Sequence, residues 1–73
     1  MKNRITMLDR NGDTVVEFEP ADIRGVSQAR ELFNLAMSRG YFASEMAGQV
    51  GVVVRQFDPE AQDTLLIAPV YAG

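Results

Sequence analysis

The sequence predicts an α+β fold in which a single helix packs on a mixed sheet of four or five strands. Three observations support this prediction. Ile23 to Gly40 is the one run with sustained helical periodicity. Two strand-like runs precede it, and two or three follow it. One helix with one apolar face needs one sheet face to cover, so we expect the helix to lie across the sheet.

The first two strands are predicted at Arg4 to Leu8 and Thr14 to Phe18. Asn11-Gly12 lies between them and is typical of a two-residue type I′ hairpin turn, because both residues tolerate positive φ. Such a turn pairs Arg10 with Asp13, and the rest of the register follows. The resulting pairs are Ile5–Phe18 and Met7–Val16 on one face, and Arg4–Glu19, Thr6–Glu17 and Leu8–Val15 on the other.

The helix has recognisable ends. Asp22 is a predicted N-cap, and Gly40 supplies a left-handed stop. Gly25 weakens the first turn, so we expect the regular helix to begin near Val26. Leu35 points away from the apolar face. The predicted core face consists of Ile23, Val26, Ala29, Leu32, Phe33, Ala36 and Met37.

The later strands are predicted at Tyr41 to Met46, Val50 to Phe57 and Thr64 to Ala68, with a turn at residues 47–49. The last of these strands is apolar on both faces, which is typical of a central strand. It is therefore expected to return beside the first strand and parallel to it, an arrangement known as the β-grasp. The alternative is a meander with the helix packed across it.

Composition limits the chemistry open to these 73 residues. They are the size of one domain, of which 1–69 should be globular and 70–73 a tail. The sequence contains no Cys and no His, which excludes disulfides, Cys/His zinc sites, thiol nucleophiles and imidazole bases. No secretory signal and no run of membrane-spanning length is visible. We expect a cytoplasmic protein that does not bind membranes.

Charge argues against a nucleic-acid ligand. Ten acidic and seven basic residues give a net charge of −3. The basic residues are scattered singly, whereas a nucleic-acid surface needs a basic cluster. We therefore expect no nucleic-acid partner.

The sequence gives little support for metal binding or for catalysis. Residues 9–13 resemble the opening of a calcium loop, but the glycine is fourth instead of sixth and Pro20 stands twelfth, so a hairpin turn is the better interpretation. Asp58, Glu60 and Asp63 crowd one turn and are most simply a solvated loop with Asp58 as a cap. We expect no enzyme activity, no metal and no cofactor.

Interaction surfaces are more promising than catalytic ones. Leu8 and Val15 fall on the outer face of the predicted hairpin, and Leu35 falls on the outer face of the helix. Single exposed apolar residues are normal, whereas a contiguous patch indicates a partner or a dimer. We predict that these three residues, with Tyr71 of the tail, contact a protein partner. The oligomeric state is expected to be a monomer or a weak homodimer.

The C-terminal residues 65–73 (LLIAPVYAG) form a strand, a proline and a short tail ending in glycine. This segment resembles the end of ubiquitin-like β-grasp proteins, especially the small sulfur carriers of thiamin and molybdopterin synthesis. Their last strand also runs into a tail with proline and small residues, and it ends in Gly-Gly. Ala72 departs from that pattern at the penultimate position.

The resemblance implies chemistry at the C-terminal carboxylate. In those families an activating enzyme adenylates the terminal glycine, which is then thiolated or transferred to a lysine. Only Gly73 matches the reacting position. The first hypothesis is therefore a ubiquitin-like carrier or protein modifier that docks its activating enzyme on the sheet. The alternative is a non-catalytic interaction or adaptor module without C-terminal chemistry, such as an accessory subunit or a phage- or defence-associated adaptor.

Overall fold

The structure, a computed structural model, describes residues 2–69. Five strands and one helix follow each other in the order ββαβββ. Their bounds are β1 Asn3–Leu8, β2 Thr14–Phe18, α1 Ile23–Ser38, β3 Phe42–Ala47, β4 Val50–Val54 and β5 Asp63–Ile67. The predicted start of the first strand, and both predicted ends of the third and fifth strands, differ from these bounds by one residue.

All five strands form one mixed sheet in the order β2-β1-β5-β3-β4. β5 lies in the middle, parallel to β1 and antiparallel to β3. The helix packs on one face, against β1, β2 and β3. The α+β class, the single helix on a mixed sheet and the return of the last strand beside the first are therefore confirmed. The alternative of a simple meander is wrong, because β5 is inserted between β1 and β3.

The β1–β2 register differs from the prediction by two residues. Ile5 lies opposite Val16 and Arg4 opposite Glu17. The turn is not type I′: Gly12 has a φ of 122°, Asn11 does not have a positive φ, and the Gly12 N–H donates to the Asp9 carbonyl over 3.3 Å. This bond closes a four-residue β-turn from Asp9 to Gly12. Type I β-turns favour Asp in the first position and Gly in the fourth. The turn is centred on Arg10-Asn11 instead of Asn11-Gly12, which shifts the register by two residues. Because this shift is an even number, the predicted faces are retained.

The helix ends agree with the prediction. The Asp22 carboxylate accepts a hydrogen bond from the Arg24 N–H over 3.1 Å, and Gly40 has a φ of 78°. The expectation that the regular helix begins near Val26 is wrong, because it begins at Ile23. Gly25 is buried against Phe18, and this tertiary contact outweighs its poor helix propensity.

One member of the predicted core face is also misplaced. Ile23 is 86% exposed, because the helix is rotated so that its buried face is centred on small residues. At 100° per residue, Ile23 lies more than about 100° from that centre. The buried residues of the helix are Gly25, Ala29, Phe33 and Ala36.

The core between helix and sheet is small and partly aromatic. Phe33 is its largest fully buried side chain. Phe57 packs against it and against Phe18, with ring centroids 5.7 and 6.0 Å apart, and the Arg30 guanidinium lies 5.6 Å from the Phe57 centroid. The prediction that β4 extends to Phe57 is therefore wrong: the strand ends at Val54, and the following loop folds back to bring Phe57 onto the core. The buried apolar residues are Ile5, Met7, Phe18, Ala29, Phe33, Ala36, Ala43 and Leu66.

Candidate protein interface on the open sheet face

The sheet face opposite the helix, here called the open face, carries apolar side chains from every strand. Residues paired across neighbouring strands lie on the same face of a sheet. The register therefore forms one row from Leu8 through Ile67 to Phe42, across β1, β5 and β3. A second row runs from Val15 through Leu65 to Val53, with Thr6 and Ser44 between them. The open-face patch is defined as Leu8, Val15, Phe42, Val53, Leu65 and Ile67.

The patch is largely accessible to solvent. Val53 is 69% exposed and Phe42 57% exposed, while Val15 and Ile67 are also exposed. Leu8 and Leu65 are half-buried between their neighbours. An antiparallel sheet with one covered face usually keeps its other face polar. A contiguous apolar patch of this kind marks an interaction surface more often than a free surface.

A shallow groove of about 320 Å³ borders the patch at Phe42 and Val53. Its walls are mostly apolar, with one cation at the rim. Such a groove suits an apolar anchor residue of a partner, since interface energy concentrates where a side chain fills a desolvated pocket. The groove is lined by Met37, Tyr41, Phe42, Ala43, Val53, Val54 and Arg55.

The opposite end of the open face is charged. Arg4 Nη2 donates to Asp63 Oδ2 over 3.2 Å. This hydrogen bond raises the pKa of Arg4 above its ordinary value, and the negative charge of Asp63 adds a smaller increase. The predicted cross-strand partner Glu19 is wrong, because the register places Glu17 opposite Arg4, and β5 brings in Asp63 on the other side. The patch is thus bounded by a polar rim, as interfaces commonly are.

The structure places the predicted partner-binding residues on two surfaces. Leu8 and Val15 lie on the open face, though Val15 is opposite Thr6 instead of Leu8. Leu35 is 43% exposed on the outer helix surface, apart from the patch. Tyr71 and Gly73 lie outside the described residues. A role in binding stays a prediction for Leu8, Val15 and Tyr71, as does activation at Gly73. Because Leu35 lies apart from the patch, we do not expect it to contact a partner docked there.

Three members of the patch, Phe42, Val53 and Ile67, were not predicted from the sequence. A signal for Ile67 was present, because its strand is apolar on both faces. Phe42 and Val53 gave none, since each shares its face of the strand with a small or polar residue, Ser44 beside Phe42 and Gly51 beside Val53. Their place in the patch depends on strand pairing.

The acidic turn after β4 is stabilised by hydrogen bonds within the turn. The Asp58 carboxylate accepts from the Glu60 N–H over 2.9 Å, and the Asp58 carbonyl accepts from the Ala61 N–H over 3.1 Å. Asp58 therefore acts as the predicted cap. Within residues 2–69, no group of three or more acidic side chains is arranged to hold a metal ion. The same range contains no helix that is long and apolar enough to cross a bilayer.

No family model matches the sequence, and no curated protein or solved structure matches it. Function must therefore be argued from the site. The open face offers apolar area, a bordering groove and a charged rim, an arrangement suited to binding another protein.

Proposed function

We propose that this chain is a small protein-binding module of the ubiquitin-like β-grasp type, which docks a protein partner on the open-face patch. The strand order β2-β1-β5-β3-β4, with β1 parallel to β5, supports the β-grasp assignment. The observation that carries the function is the continuous row of Leu8, Ile67 and Phe42 on the face that the helix leaves uncovered.

The energetics of the patch favour a partner with an apolar surface. Burying apolar area stabilises a complex by roughly 25 cal/mol per Å² before the costs of association. Phe42 offers the largest exposed apolar side chain of the patch and stands next to the groove, so it is the expected anchor. Val53 and Ile67 flank it and exclude water. Arg4 and Asp63 lie at the rim, where charges set orientation more than affinity.

Site-specific photocrosslinking in the producing cells tests this proposal. A photoreactive residue placed at Ile67, which is exposed on the central strand of the patch, should capture one defined partner, while the same residue at Leu35, on the helix, should not. The partner is then purified and titrated against variants with unchanged circular dichroism. Phe42→Ser should weaken binding at least about tenfold, since anchor residues dominate interface energy. Leu35→Ser should bind like the wild type. Crosslinks from Leu35 alone would contradict the proposal.

The position of β5 favours a second candidate, the carrier or modifier function. β5 ends at Ile67, between Leu8 and Phe42, so Ala68 and Pro69 leave the sheet at the patch. An activating enzyme docked on the patch would stand beside the end of β5. In this candidate the Gly73 carboxylate attacks the α-phosphorus of ATP and releases pyrophosphate. A sulfur donor or a lysine amine then displaces AMP.

Intact mass separates the two candidates. The protein is isolated from cells that contain its neighbouring genes. An exchange of oxygen for sulfur at the last residue, or an adduct through it, would establish the carrier function. A plain carboxylate with no conjugates would remove the carrier candidate and leave docking on the patch in place. A Gly73→Asp variant should lose any such modification while it keeps its affinity for the partner.

A further inference from the structure

The free edge of β4 is a second surface without a partner within the described chain. β4 stands at the end of the sheet and pairs only with β3. Its sequence, VGVVV, has neither a charge nor a proline. Val52 is 59% exposed on the helix side of the sheet, and Val53 is exposed on the open face. An exposed apolar edge strand is a template for pairing with another strand.

The other edge of the sheet, β2, differs in charge and in the proline beside it. Glu17 lies within it, Asp13 precedes it, and Glu19-Pro20 follows it. Charges and prolines at an edge are the devices by which proteins prevent edge-to-edge pairing. β2 is therefore protected against pairing with another strand, whereas β4, at the other edge of the same sheet, is not.

The β3–β4 hairpin shows which backbone groups are free. A two-residue turn, Gly48-Gln49, joins Ala47 to its partner Val50, and Gly48 has a φ of 64°. Pairs next to such a turn exchange hydrogen bonds, and these alternate along the ladder with pairs that do not. The N–H and C=O groups of Gly51 and Val53 consequently point away from β3, toward the free edge.

We propose that β4 pairs antiparallel with β4 of a second copy of this chain, around a twofold axis at Val52. Gly51 then lies opposite Val53 of the second copy, and the symmetric pair repeats this on the other side of the axis. Each such pair exchanges two N–H···O bonds. Val52 lies against Val52 of the second copy on the helix side, and the two sheets become one.

A second copy fits this edge because the edge itself carries no charge. Each copy has a net charge of −3, so two copies can associate only where like charges do not meet. Residues 46–54 carry no charge, and the proposed register sets Arg55 opposite Gln49 of the second copy. No like charges face each other. A basic or acidic peptide would find no complementary charge on this edge.

The contact is small. Five residues of edge strand bury less than the roughly 1,200 Å² that marks a stable interface. The dimer is therefore expected to be weak and concentration-dependent. It adds an interface distinct from the partner docking proposed above, and it extends the open face of one copy into that of the other.

A charge swap at Val52 tests the pairing, because this residue faces itself across the axis. Sedimentation equilibrium of Val52→Lys and of Val52→Glu should each show a dimer dissociation constant raised at least about tenfold. An equimolar mixture should restore association, since Lys then faces Glu. Glu45 lies opposite Val52 within the chain, so circular dichroism must confirm that Val52→Glu is folded. The matched control is Thr14→Lys, which is exposed on the protected edge but lies outside the open-face patch, and it should associate like the wild type.

Amide hydrogen exchange gives an independent readout on the unmodified chain. Protection of the Gly51 and Val53 amides should rise with protein concentration and remain low in Val52→Lys. The proposal is overturned if the wild type stays monomeric up to millimolar concentration with both amides unprotected. It is equally overturned if Thr14→Lys abolishes association as fully as Val52→Lys, or if the mixture of charge variants fails to associate.

Discussion

Gly25 of the helix lies directly against Phe18 of β2. A Cβ atom built on Gly25 would be 3.0 Å from Phe18 Cβ and 3.5 Å from Phe18 Cα. The missing side chain lets the helix backbone approach the sheet, and together with Ala29 and Ala36 it sets the rotation that turns Ile23 into solvent. Gly25 therefore weakens the helix locally, but its missing side chain determines how the helix packs on the sheet.

Gly25→Ala should destabilise the protein, although alanine is the better helix former by about 1 kcal/mol. The new methyl group meets the root of a buried side chain, which cannot move aside without shifting β2. Overpacking of this kind costs about 1–3 kcal/mol, so we expect a net loss of about 1 kcal/mol in the free energy of unfolding by urea. Ser27→Ala, exposed on the same helix, should be neutral or stabilising. A stabilised Gly25→Ala would contradict the close approach.

Phe33→Leu should cost about 1–2 kcal/mol, because it leaves a gap beside Phe57 in a core too small to refill it. The control is Leu35→Ala, which removes the same number of carbon atoms, three, from the same helix but at an exposed position. Its free energy of unfolding should change by less than about 0.5 kcal/mol. Equal losses in the two variants would show that the helix packs in a different rotation.

Gly12→Ala should cost about 1–3 kcal/mol, since a φ of 122° is strained for any residue with a Cβ. No heavy atom lies within 4 Å of the built Cβ, so the loss would be conformational and not steric. Asn11→Ala should lie within about 0.5 kcal/mol of the wild type, because Asn11 does not have a positive φ. Thermal unfolding of both variants checks this. A large loss at Asn11 would favour the type I′ turn instead.

Asp22→Ala should lower the free energy of unfolding by about 1 kcal/mol, because the Arg24 N–H loses its acceptor at the start of the helix. Asp22→Asn keeps an oxygen in the same position and should differ from the wild type by only a few tenths of a kcal/mol. Urea titrations followed by circular dichroism measure both. Indistinguishable Ala and Asn variants would mean that the cap contributes nothing.

Much of the fold could be predicted because its signals are local. The N-cap at Asp22, the stop at Gly40 and the faces of the first two strands each depend on a few neighbouring residues. The errors share a different cause. The β1–β2 register depended on a choice between two turns that the same residues allow, and β4 ends early because Phe57 is drawn into the core by Phe18 and Phe33.

Only part of the candidate site could be predicted from the sequence, for a related reason. Alternation in the first hairpin identifies Leu8 and Val15 as outward-facing. Phe42 and Ile67 join them only because β5 is inserted between β1 and β3. Side chains separated by up to 59 positions (8 and 67) become neighbours through that pairing.

The fold class, the helix with its caps and the exclusion of Cys and His chemistry can be read from the amino-acid sequence alone, because they follow from residue identity and short-range periodicity. The rotation of the helix, the open-face patch and the unprotected edge of β4 are visible only in the three-dimensional arrangement. These depend on which distant segments pair and how closely they approach, and such contacts are set by the packing of the whole chain.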